Sequence, residues 1–429
     1  MGWVARIRAY GYAAVPAAVA LLLGLRGLNS VGLWIDEFYT VKSATSGLGG
    51  SLSEAPELPY YAFMQVWTAG GRWISEDWLR LPSVIAVVLA TVLVSVTARR
   101  LATPRAGLMA GLILAIAPGT QRYAQEARVY ALGLMCASLA TFALVTAARS
   151  ERKRWWVLYS AAIATGALLL PITLAMLPGH AIVLARRPFW DTTTKRWVIS
   201  CLACVPLMVL EVIALIRFSS MHVSDSYTPN VNNLWQAATW LTSAGTIDTA
   251  SAAAFALAVL VLGLLTPAST RWVLAAVASS LSILLLSLGP MSWWLGRSFL
   301  PLTGLLAIAA GLSLGTLSVR RCAAVFAVMA VFVAPAYTEI RLPWSRGFDF
   351  RQASGIIDAR WQSGDAIASK SVYDVSLVQT ALQYYTGDSS RFLDPPASGG
   401  RVWVIDQSQA CTPLQSWDLG AGHTLELCD

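Results

Sequence analysis

The sequence predicts an all-α polytopic membrane protein that carries a small α/β domain at its carboxyl end. Hydrophobic residues occupy 56% of the 429 positions, charged residues occupy only 13%, and the mean hydropathy is +0.59. Long apolar runs recur over residues 1–337, and many approach the roughly 20 residues that a helix needs to cross a bilayer. After residue 337 the runs give way to short alternating and amphipathic segments, which are typical of a folded domain in water.

About eleven apolar segments are the predicted transmembrane helices. Several are shorter than an ideal span, and Pro171 separates two segments that could instead form one broken, re-entrant pair. The first run follows basic residues and lacks a small-residue cleavage site, so we expect it to be a retained span. In chain order the predicted spans are Tyr12–Leu28, Leu81–Ala98, Ala106–Gly119, Val129–Ala148, Trp155–Leu170, Ile172–Ala185, Val198–Ile216, Ala252–Leu265, Trp272–Leu288, Phe299–Leu317 and Cys322–Tyr337.

Lys and Arg cluster in every second turn between these spans, as the positive-inside rule predicts for cytoplasmic turns. The clusters lie at Arg6–Arg8, Arg99–Arg105, Arg149–Arg154, Arg186–Arg196, Arg271 and Arg320–Arg321. With the amino terminus in the cytoplasm, the first loop (residues 29–80) and the whole tail are exported. The formal net charge of +8 therefore comes from basic clusters that act as topology signals. The expected partner is the bilayer rather than nucleic acid.

The chain therefore divides into a membrane-spanning domain of residues 1–337, which includes the exported first loop, and a small exported α/β domain of residues 338–429. In the tail, Phe348–Gln362 and Asp374–Tyr385 read as helices, and "DAIAS", "RVWVID" and "TLELCD" read as strands. Cys411 and Cys428 lie in a compartment where a disulfide between them would persist. No metal site is predicted, because the histidines are scattered and the cysteines show no convincing metal spacing.

The stretch "SVGLWIDEFYTVKSA" places two adjacent carboxylates, Asp36 and Glu37, directly after the first span on the expected exported side. One interpretation is that they merely end an apolar segment at the aqueous interface. Adjacent residues on a helix point in different directions, however, so we expect the two acids to have different roles and only one to face a cavity.

The first loop continues with "EAPELPYYAFMQVW". Pro56 and Pro59 exclude a regular helix at that point, whereas Tyr60–Arg72 reads as an amphipathic stretch on the membrane surface. Such a segment could cover a groove, with Tyr60 and Tyr61 as candidate lining residues. The alternative is ordinary packing of aromatic side chains at the membrane interface.

A second polar stretch, "TQRYAQEARVYAL", lies between the third and fourth predicted spans. At helical spacing Arg122 and Glu126 form an i,i+4 pair, which leaves Arg128 without a counter-charge on its own face. An unpaired guanidinium at the membrane boundary suits a bound phosphate, or equally an ordinary lipid headgroup. Arg297 offers a second exported cation. The further substrate-groove candidates of this stretch are Gln125, Glu126 and Tyr130.

These motifs follow one another in a recognisable order: WIDE, a loop of prolines and tyrosines, LRLPS, AQEARVYAL and RSFLP, from about Leu33 to Pro301. The order resembles the GT-C superfamily of lipid-linked sugar transferases. Within that superfamily the sequence is most similar to the branch of protein O-mannosyltransferases and aminoarabinose-transferase-like enzymes. Any one of these motifs alone would be weak, but their combination is fairly specific.

The resemblance implies a GT-C-like fold and an inverting glycosyltransferase. A polyprenyl-phosphate-linked sugar would be the donor, and the acceptor would be a hydroxyl of a glycan, lipid or protein on the exported face. The family's first-loop acid falls on Asp36 with Glu37 as its neighbour, and Arg128, with Arg297, is expected near the donor phosphate. Many relatives carry a His-Pro-Pro-like element where this chain has "PELPYY", so a metal requirement is left open. The main alternative is a transporter or flippase for a lipid-linked precursor, and a scaffold protein with a degenerate site is a third.

Overall fold

The computed structural model of the protein describes residues 3–50, 57–150, 152–185, 191–218, 229–230, 234–243, 250–289, 293–343, 345–369, 375–387, 401–405, 413–420 and 422–428. Contacts divide the chain into two compact units. The helical unit comprises Met1–Arg26, Leu52–Tyr60 and Arg80–Thr338. The mixed unit comprises Gly27–Ser51, Tyr61–Leu79 and Glu339–Asp429. The sequence-based division assigned residues 29–80 to the membrane-spanning domain, whereas the contacts group most of that loop with the tail.

The helices follow the predicted apolar segments closely. In chain order they are α1 (Trp3–Leu25), α2 (Ile35–Gly50), α3 (Leu58–Trp67), α4 (Glu76–Leu101), α5 (Pro104–Ile116), α6 (Pro118–Ala124), α7 (Tyr130–Ala147), α8 (Arg154–Leu169), α9 (Met176–Leu184), α10 (Thr192–Leu202), α11 (Val205–Phe218), α12 (Gln236–Ser243), α13 (Ala250–Leu264), α14 (Pro267–Ser287), α15 (Thr303–Leu314), α16 (Val319–Glu339), α17 (Phe350–Arg360) and α18 (Val375–Thr386). Short 3₁₀ helices cover Pro171–Ala175 and Gly296–Leu302.

Within the described part of the chain, six helical segments are long and apolar enough to cross a bilayer. They are Glu76–Leu101, Tyr130–Ala147, Thr192–Leu210, Pro267–Ser287, Gly296–Leu314 and Val319–Glu339. Four shorter apolar helices accompany them, at Gly11–Leu25, Pro104–Ile116, Pro171–Leu184 and Ala250–Leu264. A multi-pass membrane protein is therefore supported, and the number of eleven spans stays a prediction.

In the helical unit, helices α5 and α15 pack through glycines. A Cβ atom at Gly311 would lie 2.6 Å from the backbone nitrogen and 2.7 Å from the Cα of Ala110, and one at Gly315 would lie 3.0 Å from the Cα of Ala106. The two backbones are thus in direct contact over one helical turn. This small-residue spacing is how membrane helices gain packing energy without a hydrophobic driving force between them.

Gly311→Ala is therefore expected to destabilise the helical unit by about 1–3 kcal/mol, the usual cost of overpacking a filled interface. The matched control is Gly304→Ala on the same helix, where an added Cβ would make only ordinary contacts of 3.4 Å and 3.5 Å. Thermal unfolding in detergent measures the difference. Equal melting temperatures for the two variants would show that the interface can relax around a methyl group.

The mixed unit contains a four-stranded sheet of β1 (Ala366–Ser369), β2 (Val402–Ile405), β3 (Pro413–Asp418) and β4 (Thr424–Cys428) in the order β1-β2-β4-β3. Strands β1 and β2 are parallel, and the other two pairs are antiparallel. Strand β3 was not predicted, because its side chains are almost all exposed and show no apolar alternation. Cys428 is disulfide-bonded, while Cys411 lies outside the described residues.

Asp365, which directly precedes β1, links β1 to β2 through hydrogen bonds. Its side chain is 2% exposed and accepts hydrogen bonds from Arg401 Nε (2.9 Å) and Nη2 (2.8 Å), Trp403 Nε1 (3.0 Å) and the backbone nitrogen of Gln362 (3.0 Å). Burial acts to raise the pKa of this carboxyl, but these hydrogen bonds and the Arg401 charge outweigh it, so the pKa lies below its ordinary value.

Because the pKa of Asp365 is lowered in the folded state, its ionised carboxylate stabilises the sheet at pH values above the ordinary aspartate pKa of about 3.9. The stabilisation is lost as the pH falls through the lowered value. Asp365→Asn should remove this acid sensitivity and cost about 1.5–3 kcal/mol at neutral pH, because charge-assisted hydrogen bonds are lost. Hydrogen exchange in peptides covering β1 and β2 measures the effect. Asp418→Asn, at an exposed position, is the control and should leave exchange unchanged.

Candidate active site

In the mixed unit, Asp36 and Glu37 lie in the first turn of helix α2. The Glu37 carboxylate accepts a hydrogen bond from the backbone nitrogen of Trp34 at 3.2 Å, which satisfies a donor that the helix itself cannot pair. Two acids at a helix amino terminus also interact favourably with the helix dipole. The sequence "WIDE" thus starts the helix and fixes where both carboxylates lie.

The two acids have different environments. Glu37 is fully buried, and its Oε2 lies 3.6 Å from Nη1 of Arg346, whose side chain is 2% exposed. Asp36, one residue earlier, is half-buried. Removing one partner of a buried ion pair strongly destabilises a protein, because the other charge is left buried and unpaired. The pair of Glu37 and Arg346 therefore holds the start of α2 in place. Asp36 is the more exposed residue of the two.

Residues far along the chain fix the backbone just before this helix. The backbone nitrogen of Leu33 donates to the hydroxyl oxygen of Tyr385 at 2.7 Å, and the same hydroxyl donates to Oε1 of Glu76 at 2.7 Å. Burial, followed by the charge of Glu76, raises the pKa of Tyr385, which keeps the hydroxyl protonated as a donor. The other oxygen of Glu76 pairs with Arg351.

Aromatic packing supports the same region. The ring of Phe38 contacts the rings of Phe350, Tyr384 and Tyr385 edge-on, at centroid distances of 5.6 Å, 5.9 Å and 6.1 Å. Sequence reasoning did not single out Glu76, Arg346, Arg351 or Tyr385. Local sequence patterns do not reveal such pairs, because their members are separated by about 300 residues.

In the helical unit, Arg128 is not the unpaired cation that the sequence suggested. Its Nη2 lies 2.8 Å from both carboxylate oxygens of Glu57, and its side chain is 8% exposed. Helical spacing does not extend to Arg128, because α6 ends at Ala124 and α7 begins at Tyr130. Glu57 comes from the first loop, directly before Leu58 and Pro59 of "PELPYY".

The rest of this stretch is held by buried hydrogen bonds. Arg122 Nη1 pairs with Glu126 Oε2 at 2.6 Å, the i,i+4 pair that the sequence predicted. Ser83 Oγ of the "LRLPS" motif donates to the carbonyl oxygen of Glu126 at 2.6 Å, which ties two of the sequence motifs together. Gln125 Nε2 donates to the carbonyl oxygens of Leu23, Gly24 and Arg26 at 3.3 Å, 3.1 Å and 2.9 Å, and so caps the end of α1.

Arg297 lies beside the same stretch. Its Cζ is 5.6 Å from the centroid of the Tyr130 ring, which in turn packs edge-on against Tyr123 at 5.1 Å. Burial, followed by the charge of Glu126, raises the pKa of Tyr123, so this phenol stays neutral beside the cation. Arg297 is half-buried, and its position over the Tyr130 ring is a cation–π contact.

The remaining groove candidates are not on an open surface. Their exposed fractions are 1% for Tyr60, 1% for Tyr61, 3% for Gln125, 0% for Glu126 and 5% for Tyr130. Helix α3 ends at Trp67 instead of continuing to Arg72, and Gly70 and Gly71 adopt positive φ after it. Among the described residues no group of three or more His, Cys, Asp or Glu side chains could hold a metal ion.

The resemblance drawn from the sequence motifs is confirmed by comparison with known proteins. The family model of dolichyl-phosphate-mannose-protein mannosyltransferases (PMT_2) matches residues 63–222. That match includes the LRLPS and AQEARVYAL motifs. No curated protein sequence matches the chain.

Among solved structures, ArnT from Cupriavidus metallidurans in the apo state aligns over 98% of both chains, with a TM-score of 0.64 and 12% identity. The same protein bound to undecaprenyl phosphate also aligns over 98% of both chains, with a TM-score of 0.59 and 14% identity. The oligosaccharyltransferase of Archaeoglobus fulgidus, tethered to an acceptor peptide, gives a TM-score of 0.53 at 11% identity. That alignment covers 90% of this chain and 64% of the archaeal one. At these identities the shared property is the fold.

Proposed function

We propose that this protein is an inverting glycosyltransferase that moves a sugar from a polyprenyl-phosphate donor to an acceptor hydroxyl on the exported face of the membrane. The match to the mannosyltransferase family model and the similarity in fold to ArnT, which was solved bound to undecaprenyl phosphate, support the class of reaction. The observation that carries the assignment of roles is the contrast between a half-buried Asp36 and a buried Glu37 held by Arg346. Glu37 is held in a buried ion pair, whereas Asp36 is the more exposed of the two residues.

In this mechanism Asp36 is the general base. The acceptor hydroxyl transfers its proton to the carboxylate while its oxygen attacks the anomeric carbon from the face opposite the phosphate. The bond between that carbon and the phosphate oxygen breaks, and the polyprenyl phosphate leaves with the bonding electrons. A single displacement inverts the anomeric configuration. Positioned general bases contribute on the order of 10²- to 10⁴-fold to such steps.

The arginines of the helical unit would bind the donor phosphate. Arg128 pairs with the Glu57 carboxylate, and its planar guanidinium has the geometry to bind two oxygens of a phosphate instead. The donor phosphate would replace Glu57 as its partner, and the charge of Arg297 would add to the attraction. Both cations would offset the negative charge that develops on the leaving phosphate, which is usually the largest contribution that an active site makes.

The direct test uses the purified full-length protein in lipid vesicles with a panel of undecaprenyl-phosphate-linked hexoses and pentoses, and with glycan, lipid and peptide acceptors. We expect release of undecaprenyl phosphate that depends on one donor and one acceptor. Nuclear magnetic resonance of the product reports the anomeric configuration, and a retained configuration would contradict a single displacement. Movement of the lipid donor across the bilayer without sugar transfer would favour the transporter alternative.

An exported site requires an exported tail, which we infer from the alternation of basic clusters. Ser363 is exposed in the mixed unit. A cysteine at this position should react with a membrane-impermeant thiol reagent in intact cells. A cysteine in place of Lys153, an exposed residue in the predicted cytoplasmic turn after α7, should react only after lysis. The opposite pattern would place Asp36 on the cytoplasmic side and overturn the exported acceptor.

A further inference from the structure

A cavity of about 620 Å³ lies within the helical unit, and none of the residues proposed for sugar transfer lines it. Its lining comes from the carboxyl ends of α4, α7, α9 and α15 and from the amino end of α14. All these helix ends belong to the side on which the basic clusters of the sequence lie. The cavity therefore opens where the predicted cytoplasmic leaflet meets the protein.

The floor of the cavity is apolar. Val145, Leu184 and Trp272 line it and are each buried to at least nine-tenths of their surface. At its edge two arginines, Arg149 and Arg271, are exposed, and the described lining contains no carboxylate. A volume of this size falls within the range of ordinary ligand sites, and an apolar floor with a cationic edge matches an amphiphile with a negative head.

The two arginines can act together on one anion. Arg271 donates through Nη2 to the carbonyl oxygen of Ala185 at 2.6 Å, which fixes the guanidinium while its other donors stay available. The side chain of Arg149 makes no hydrogen bond or ion pair with any residue that the structure describes. Four helix carboxyl ends bring negative dipole ends to this place and disfavour an anion, so recognition must come from these two guanidinium groups.

We propose that this cavity binds one anionic glycerophospholipid of the cytoplasmic leaflet. Arg149 and Arg271 hold its phosphate, and part of an acyl chain occupies the apolar floor. Basic pockets between helices on the cytoplasmic side are suited to anionic headgroups, and the negative surface of that leaflet concentrates such lipids there. The site is separate from the one that binds the sugar donor, and it serves to tie five helix ends together.

The test is native mass spectrometry of the full-length protein titrated in detergent with phosphatidylglycerol, phosphatidylcholine and undecaprenyl phosphate. We expect one phosphatidylglycerol to be retained about tenfold more tightly than phosphatidylcholine, since the net charge on the head is the main difference. Arg149→Gln combined with Arg271→Gln should weaken retention by about tenfold or more, as expected when charge-assisted hydrogen bonds are lost. Arg152→Gln removes a charge from the same turn outside the cavity lining and should change nothing.

A second variant separates binding from folding. Ala268→Trp adds bulk at an exposed lining position without changing the charge, so it should also displace the lipid while the melting temperature stays close to that of the lipid-free protein. Equal retention of phosphatidylglycerol and phosphatidylcholine, or retention that neither variant reduces, would overturn the proposal. Preferential retention of undecaprenyl phosphate that the double variant abolishes would replace the proposed occupant with the polyprenyl lipid.

Discussion

Asp36→Asn should reduce turnover by about two to four orders of magnitude, the range that a positioned general base contributes. The amide keeps the shape of the side chain and its position in the first turn of α2, but it cannot accept the proton of the acceptor hydroxyl. Donor binding should be nearly unchanged, so the loss should appear in kcat rather than in the KM for the donor. Single-turnover measurements with the purified protein separate the two.

Asp77→Asn is the matched control. Asp77 also lies in the first turn of a helix in the mixed unit, and it is exposed. Its removal should leave turnover within about twofold, since substitutions at exposed positions usually have small effects. If Asp36→Asn turned over at the rate of the wild type, Asp36 would be a helix-start residue and the proposed mechanism would lose its base.

Glu37→Gln should fail in a different way. It leaves the buried guanidinium of Arg346 without its carboxylate partner, and breaking a buried pair costs about 3–5 kcal/mol. We therefore expect a lower yield of folded protein and a lower melting temperature, with near-normal turnover in the fraction that folds. Folded Glu37→Gln protein without activity, together with an active Asp36→Asn variant, would exchange the roles of the two acids.

Arg128 is the second position with a large expected effect. Arg128→Ala should lower kcat/KM for the donor by about 10²- to 10³-fold, comparable to the removal of one donor to a developing negative charge. Arg128→Lys should restore part of the activity, because a single ammonium lacks the planar fork that binds two phosphate oxygens. Steady-state kinetics over a range of donor concentrations measures both effects.

A substitution of Glu57, the ion-pair partner of Arg128, should have the opposite effect on donor binding. The Glu57 carboxylate competes with the donor phosphate for Arg128, so Glu57→Gln should lower the KM for the donor by about three- to tenfold, the effect of weakening one partly buried pair. Arg320→Gln, at an exposed position in α16, is the control and should have no effect. If both Arg128→Ala and Glu57→Gln weakened donor binding, the pair would act as a structural unit, and Arg297 would become the leading phosphate ligand.

Hydropathy predicted the membrane helices well, because a span is a local property of consecutive residues. Each predicted span overlaps at least one helix of the structure, both predicted tail helices are present, and the three predicted strands correspond to β1, β2 and β4. Strand β3 was not predicted, because "PLQSWD" lies at the edge of the sheet, where exposed side chains follow no apolar pattern.

Less of the candidate site could be predicted from the sequence. Asp36, Glu37 and Arg128 stood out as charges in an apolar chain, but their partners did not. Arg346 lies more than 300 positions after Glu37, and Glu57 lies 71 positions before Arg128. One sequence without an alignment holds no record of which distant residues meet. The helical-face argument also required a continuous helix, which the turn at residues 125–129 does not provide.

The contact between Leu33 and Tyr385 has a consequence for the newly made chain. The backbone that leads into "WIDE" acquires its hydrogen-bond partner only when residue 385 has been synthesised, 352 positions later. Arg346 and Arg351 likewise arrive long after Glu37 and Glu76. Proteins are made at about 5–20 residues per second, so the first loop waits tens of seconds for these partners. In a ribosome-bound chain the start of α2 therefore lacks these contacts until the carboxyl-terminal residues have been made.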